Sequence, residues 1–163
     1  MASMRRAVGL GAALAVTTAL AACGGSSGPS KADFVRRADT LCQQTNVAHP
    51  AKPAPRNAKE ALAQATDEIA IRTELDRKLR ALAVPSDSKQ DFDAYNAGTR
   101  AIIDALTREK ADAQAGDQRR YATDQLSFNR ATAAREAVAK RLGFNICSRT
   151  KTGGTTLPRL STG

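Results

Sequence analysis

Aromatic side chains are scarce in this chain: four phenylalanines, two tyrosines and no tryptophan. Single-stranded nucleic acid is gripped by stacking bases on such rings, so the shortage argues against a nucleic-acid partner. There is one histidine, His49, beside Pro50 in a polar stretch. A lone histidine there offers no base held by an orienting group, as nucleophilic catalysis requires. No Cys-x-x-Cys pair and no Glu-x-x-His pair occurs, which removes the usual zinc and di-metal ligand sets. Of the acids Asp87, Asp91 and Asp93, the last two with Asn96 lack the glycine and the distal glutamate of a calcium loop. Gly-x-Ser-x-Gly, P-loop and dinucleotide fingerprints are missing. The residues therefore predict no enzyme, no cofactor and no metal site.

What is present begins at the N-terminus. Arg5 and Arg6 precede an uncharged run from Ala7 to Leu20, rich in Ala, Val, Leu and Gly. The run is short for a bilayer span, which needs about 20 apolar residues. It ends in small residues and is followed by Gly24-Gly25-Ser26-Ser27-Gly28-Pro29-Ser30 rather than a positive flank, as in a cleaved export signal. Leu20-Ala21-Ala22-Cys23 at that point resembles the lipobox of a bacterial lipoprotein precursor. The resemblance implies cleavage after Ala22 and diacylglyceryl modification of the Cys23 thiol, with the new amino terminus open to acylation. Residues 1–22 are then the signal peptide, and residues 23–29 the lipidated cysteine and a flexible linker. Two or more acyl chains anchor stably where one does not. The Gly/Ser tether spans only about 15 Å. The expected location is the extracytoplasmic face of the cell membrane. Plain secretion with an incidental cysteine is the alternative.

Three cysteines are an odd count for an exported protein. With Cys23 assigned to lipid, Cys42 and Cys147 remain, near the two ends of the folded region. An oxidising compartment permits a bridge between them. Two buried free thiols are the other reading, and the compartment and the pairing favour the bridge.

The chain carries 25 basic and 16 acidic residues, a net charge of +9. Losing Arg5 and Arg6 with the signal leaves +7. On an exported, tethered surface this suits anionic lipid headgroups or wall polymers better than nucleic acid. A well-solvated surface is the simpler account and ranks ahead of any specific partner.

Residues 30–147 read as four helices. Ser30, with Asp33 three residues on, starts the first, whose apolar face is Phe34, Val35, Ala38, Leu41 and Cys42; it ends near Asn46. The prolines of His49–Pro55 keep the next stretch extended. Asn57 caps a second helix running to about Ala83, ahead of Pro85. Its apolar stripe drifts between Leu62-Ala65-Ile69 and Ile71-Leu75-Leu79-Leu82, so it either bends or packs against different neighbours along its length. A third helix starts at Ser86 or Ser88, carries Phe92, Tyr95, Thr99, Ile102, Ile103, Leu106 and Ala113 inward, and stops at Gly116. Asp117 caps the fourth, which buries Tyr121, Phe128, Ala131, Val138 and Leu142. Arg135 and Asp124 fall near that inward face, where an arginine at the edge of the stripe ordinarily reaches out to water. The tyrosine hydroxyls of Tyr95 and Tyr121 are candidates to meet across the core or to line a small cavity. Gly143-Phe144 has the form of a Schellman stop. Residues 148–163, rich in Thr, Gly and Ser, have little to bury and are expected to be disordered. Frequent alanine and the lack of β-branched alternation leave no competing strand pattern. The expected fold is all-α, an antiparallel four-helix bundle with a shorter first helix.

The mature part is similar to small exported helical proteins of actinobacteria. The similarity rests on Lys31-Ala32-Asp33-Phe34-Val35 leading to Leu41-Cys42, and on the closing Leu142-Gly143-Phe144-Asn145-Ile146-Cys147. It supports the Cys42–Cys147 bridge and brings no activity with it. The functional expectation is a lipid-anchored envelope protein without catalysis, binding an envelope protein partner through a bundle face or groove. The alternative is electrostatic binding of anionic headgroups or cell-wall polymers.

Overall fold

The computed structural model describes residues 28–53 and 55–149. The expected export signal, Cys23 and residues 150–163 of the expected tail lie outside the described residues. Within them the fold is all-helical, as the pattern required: α1 Lys31–Ala48, α2 Ala58–Arg80, α3 Lys89–Ala115 and α4 Gln118–Leu142. At 18 residues α1 is the shortest. No helix among the described residues is long and apolar enough to cross a membrane.

Local chemistry sets the helix ends. Ser30 Oγ accepts from Asp33 N at 3.1 Å, Asn57 Oδ1 from Glu60 N at 2.9 Å, and Asp117 Oδ1 from Arg120 N at 3.0 Å, each relieving one orphan donor of a first turn. Glu60 returns a bond to Arg56 N, one residue before the cap, rather than to the cap itself. Ser88 gives no side-chain cap; a 3₁₀ turn over Ser86–Ser88 leads the chain into α3 instead. Gly116 and Gly143 take φ of 70° and 87°, a region that penalises any Cβ. Phe144 N then donates to Ala139 O and Gly143 N to Lys140 O, the two bonds of a Schellman motif. The end of α2 falls earlier than its pattern implies, at Arg80 rather than near Ala83. Ala81 and Leu82 bond back three residues as the helix tightens, and Pro85 holds the preceding residue out of the helical region.

Helices α3 and α4, joined through Gly116 and Asp117, form the closest pair, with α2 along α3. Gly98 of α3 permits the close approach: a Cβ there would stand 3.0 Å from Arg135 Cβ on α4. Helix α1 joins at one end, where Phe34, Ala38 and Cys42 meet Leu79 of α2, Phe92 and Tyr95 of α3, and Ala139 and Leu142 of α4. The C-terminal end of α4 thus lies beside the N-terminal end of α3, the antiparallel arrangement of a bundle. A second cluster, Ile102, Ala105, Leu106 and Phe128, lies further along α3 and α4. The drifting stripe of α2 is resolved by these two clusters. Ile69 packs against the second, and Leu75, Leu79 and Leu82 belong to or pack against the first.

The chain closes on α1. Phe144 is buried against Phe34 and Tyr95, with centroids 5.6 and 5.4 Å apart. Cys147 forms a disulfide with Cys42, their Cα atoms 5.4 Å apart, inside the range a bridge tolerates. Asp39 completes the closure: Asn145 N, Ile146 N and Cys147 N all donate to its carboxylate, at 2.9, 2.9 and 3.0 Å. Order continues past the expected boundary at Ser148. Ser148 Oγ donates to Asn145 O and Arg149 N to Ile146 O, because the bridge and the Asp39 clamp hold the turn that precedes them.

Candidate functional site

The first part of α2 stands off from the α3–α4 pair. Along the whole of α2 only Ala61 and Leu79 are buried. The gap is a cavity of about 750 Å³ between α2, the connector after α1 and the facing side of α3 and α4, within the usual size of small-molecule sites. The connector is strapped to α2 by Lys52 Nζ, 2.5 Å from Asp67 Oδ2, and by Gln64 Nε2 donating to Pro53 O at 3.0 Å. Ala61, Ala65, Leu75, Leu106 and Phe128 supply apolar wall.

The two ends of this groove carry opposite charge. At the end near the disulfide lies Arg135, 6% exposed, its guanidinium carbon 5.3 Å from the centroid of the Tyr95 ring. Expectation had this arginine reaching to solvent. Its position on the inward face of α4, hard against Gly98, gives it no such route. Burial pulls the guanidinium below its ordinary basicity, and the neighbouring Arg72 adds to the effect. Burial likewise pushes the Tyr95 hydroxyl up, opposed by Arg135. Arg72 of α2 lies 5.8 Å from the centroid of Phe128 and donates through Nε to Glu68 Oε1 at 2.8 Å.

Glu109 marks the other end. It is 6% exposed, and its Oε1 is buried with no hydrogen-bond partner. Burial raises its pKa to about 7; Asp124 and Glu68 push the same way, and Arg108 opposes them. Arg108 is itself engaged, with Nε 2.8 Å from Asp124 Oδ1. Tyr121, buried beside this end, has its hydroxyl pushed up by burial and by the charge of Glu109. Asp112, half-buried, is also raised, by lost solvation first and then by a hydrogen bond with Asp124. The local field is therefore acidic. Glu109 and Tyr95 are about 21 Å apart along α3 at ~1.5 Å per residue.

Both tyrosines singled out in the sequence line this groove, but their hydroxyls do not meet. Tyr95 lies at the arginine end and Tyr121 at the acidic end. Cys42 and Cys147 are brought together; Cys23 is outside the described residues. Two residues that matter were not picked out. Asp39 looks in sequence like any exposed helical acid, because its three partners are backbone groups more than a hundred residues away. Glu109 did leave a signal: it falls on the inward stripe of α3, between Leu106 and Ala113, where a carboxylate interrupts apolar spacing. Among the described residues no group of three or more His, Cys, Asp or Glu is arranged to hold a metal ion. The chain matches no protein-family model, no curated protein and no solved structure to a significant degree.

Proposed function

We propose that this is a lipid-anchored binding module of the cell envelope, without catalytic activity, whose working surface is the groove between α2 and the α3–α4 pair. Membrane attachment through Cys23 is supported by Arg5-Arg6, the uncharged run behind them and Leu20-Ala21-Ala22-Cys23. The binding role is carried by one observation above all: a carboxylate oxygen of Glu109 buried without a hydrogen bond in an otherwise serviceable apolar groove. An unsatisfied buried acceptor costs about 1–3 kcal/mol, more when charged, and a bound donor recovers it. A core residue with no ligand to meet would be apolar at this point.

Metabolic labelling with palmitate tests the anchor: label on the wild-type chain and none on Cys23→Ala is the expected result, and equal labelling of both refutes it. The groove is tested by displacement of an apolar fluorescent dye from the Cys23→Ala chain. Loss of dye binding when Ala65→Phe fills the groove is expected, and unchanged binding refutes the assignment.

A second reading is favoured by the net charge of +7 left when Arg5 and Arg6 go with the signal: electrostatic attachment to anionic headgroups or wall polymer. Such binding falls steeply with salt, whereas occupation of the groove does not. Vesicle cosedimentation of the Cys23→Ala chain across a salt series separates the two.

A further inference from the structure

From the placement of Glu109 we infer that the groove takes an amphiphilic amine: an apolar body lying along Ala65, Leu106 and Phe128, with a protonated amino group donating to the Glu109 carboxylate. This rests on the reading of the groove as a binding site and adds the chemical class of the ligand.

Three features select this class. The first is the orphaned acceptor. Glu109 Oε1 is buried without a hydrogen-bond partner, and an ammonium group brings up to three donors. The second is the sign of the surroundings. Glu109 is faced by Glu68 from α2 and Asp124 from α4, by Arg108 on its own helix, and by the neutral hydroxyl of Tyr121 from α4. Arg108 is already bonded to Asp124 and Arg72 to Glu68, so the charge left over at this end is the negative charge of Glu109 itself. An anionic head would meet repulsion here. The third is the opposite end, where the buried Arg135 beside Tyr95 repels a cation and so directs the amino group toward Glu109. The apolar wall between the ends supplies the non-directional part of the affinity at roughly 25 cal/mol per Å² buried.

Protonation couples to this binding. Glu109 has its pKa raised to about 7, and only its ionised form pairs with an ammonium group. Raising the pH from 5 to 8 fills the binding-competent state, and the apparent affinity rises roughly a hundredfold with that population.

The test uses the full chain carrying Cys23→Ala and three probes of equal length: octylamine, octanol and octanoate. Titration calorimetry at pH 8 is expected to give one octylamine per chain, bound at least tenfold more tightly than either other probe. In Glu109→Gln that preference is expected to vanish while the helical circular dichroism signal stays. Octanol equal to octylamine, or octanoate the tightest, overturns the amine assignment and leaves the groove a binding site. A preference for octylamine that survives Glu109→Gln overturns the role of Glu109. Binding of none of the three overturns the groove reading as well.

Discussion

The two ends of this bundle are built on opposite terms. At the closed end Phe34, Phe92, Tyr95 and Phe144 pack as a ring cluster, with Phe34 edge-on to Phe92 at 5.2 Å, and the Cys42–Cys147 bridge and the Asp39 clamp fasten the chain terminus over them. At the groove end the same helices part, α2 buries little, and the polar atom facing the gap has no partner. Four of the six aromatic residues serve the first end, and Tyr121 and Phe128 serve the second. A chain so short of large apolar side chains concentrates stability in one place and leaves the other open. Local stability is therefore expected to be uneven, as the regions that bind ligands commonly are.

The largest test of this contrast removes the fastening. The bridge closes a loop with a sequence separation of 105, for which the chain-entropy relation gives roughly 4–5 kcal/mol. The Cys42→Ala/Cys147→Ala double variant is expected to lose most of that in denaturant unfolding, a large share of the stability of a small domain. A loss below ~1 kcal/mol would erase the difference between the ends.

The next test acts on the groove and runs the other way. An ordinary glutamate titrates near 4.3 in the unfolded chain, while the folded Glu109 titrates at about 7. Between those values the folded state holds the extra proton, so stability falls as pH rises through the window. Below about 4.3 both states are protonated and the penalty is absent. Above about 7 it is complete, at roughly 3–4 kcal/mol. Glu109→Gln is expected to stabilise the fold by about that much at pH 8 and to leave it unchanged at pH 4. Equal effects at both pH values would place Glu109 in ordinary solvent.

A smaller effect is expected at Asp39. Asp39→Asn keeps the shape but loses the charge that three backbone donors share, and charge-assisted hydrogen bonds contribute about 1.5–3 kcal/mol. A loss of about 2 kcal/mol in chemical unfolding is expected, together with faster amide exchange at Asn145, Ile146 and Cys147. Exchange faster at Glu109 instead would break the separation of the two ends.

Much of the helical frame was legible in the sequence. Caps at Ser30, Asn57 and Asp117, stops at Gly116 and Gly143, and the pairing of Cys42 with Cys147 all follow from local chemistry or from counting. The Asp39 clamp was not, because a contact between a helix side chain and a distant turn has no local pattern. The groove was less legible still. An apolar stripe reports which face of a helix points inward, and says nothing of how closely the neighbour approaches. Ala61 and Ala65 of α2 look the same in sequence whether they close a core or leave a gap. Glu109 on the stripe of α3 was the one visible sign, and a buried carboxylate acquires meaning only beside the cavity it faces.

The central claim is that a carboxyl group is held desolvated at an open groove. Its most direct test is an NMR titration of the Glu109 side-chain carboxyl carbon in the full Cys23→Ala chain, assigned by its disappearance in Glu109→Gln. A midpoint near pH 7, moving to lower pH when octylamine is added, is the expected result. A midpoint near 4.3 that octylamine does not move would contradict it.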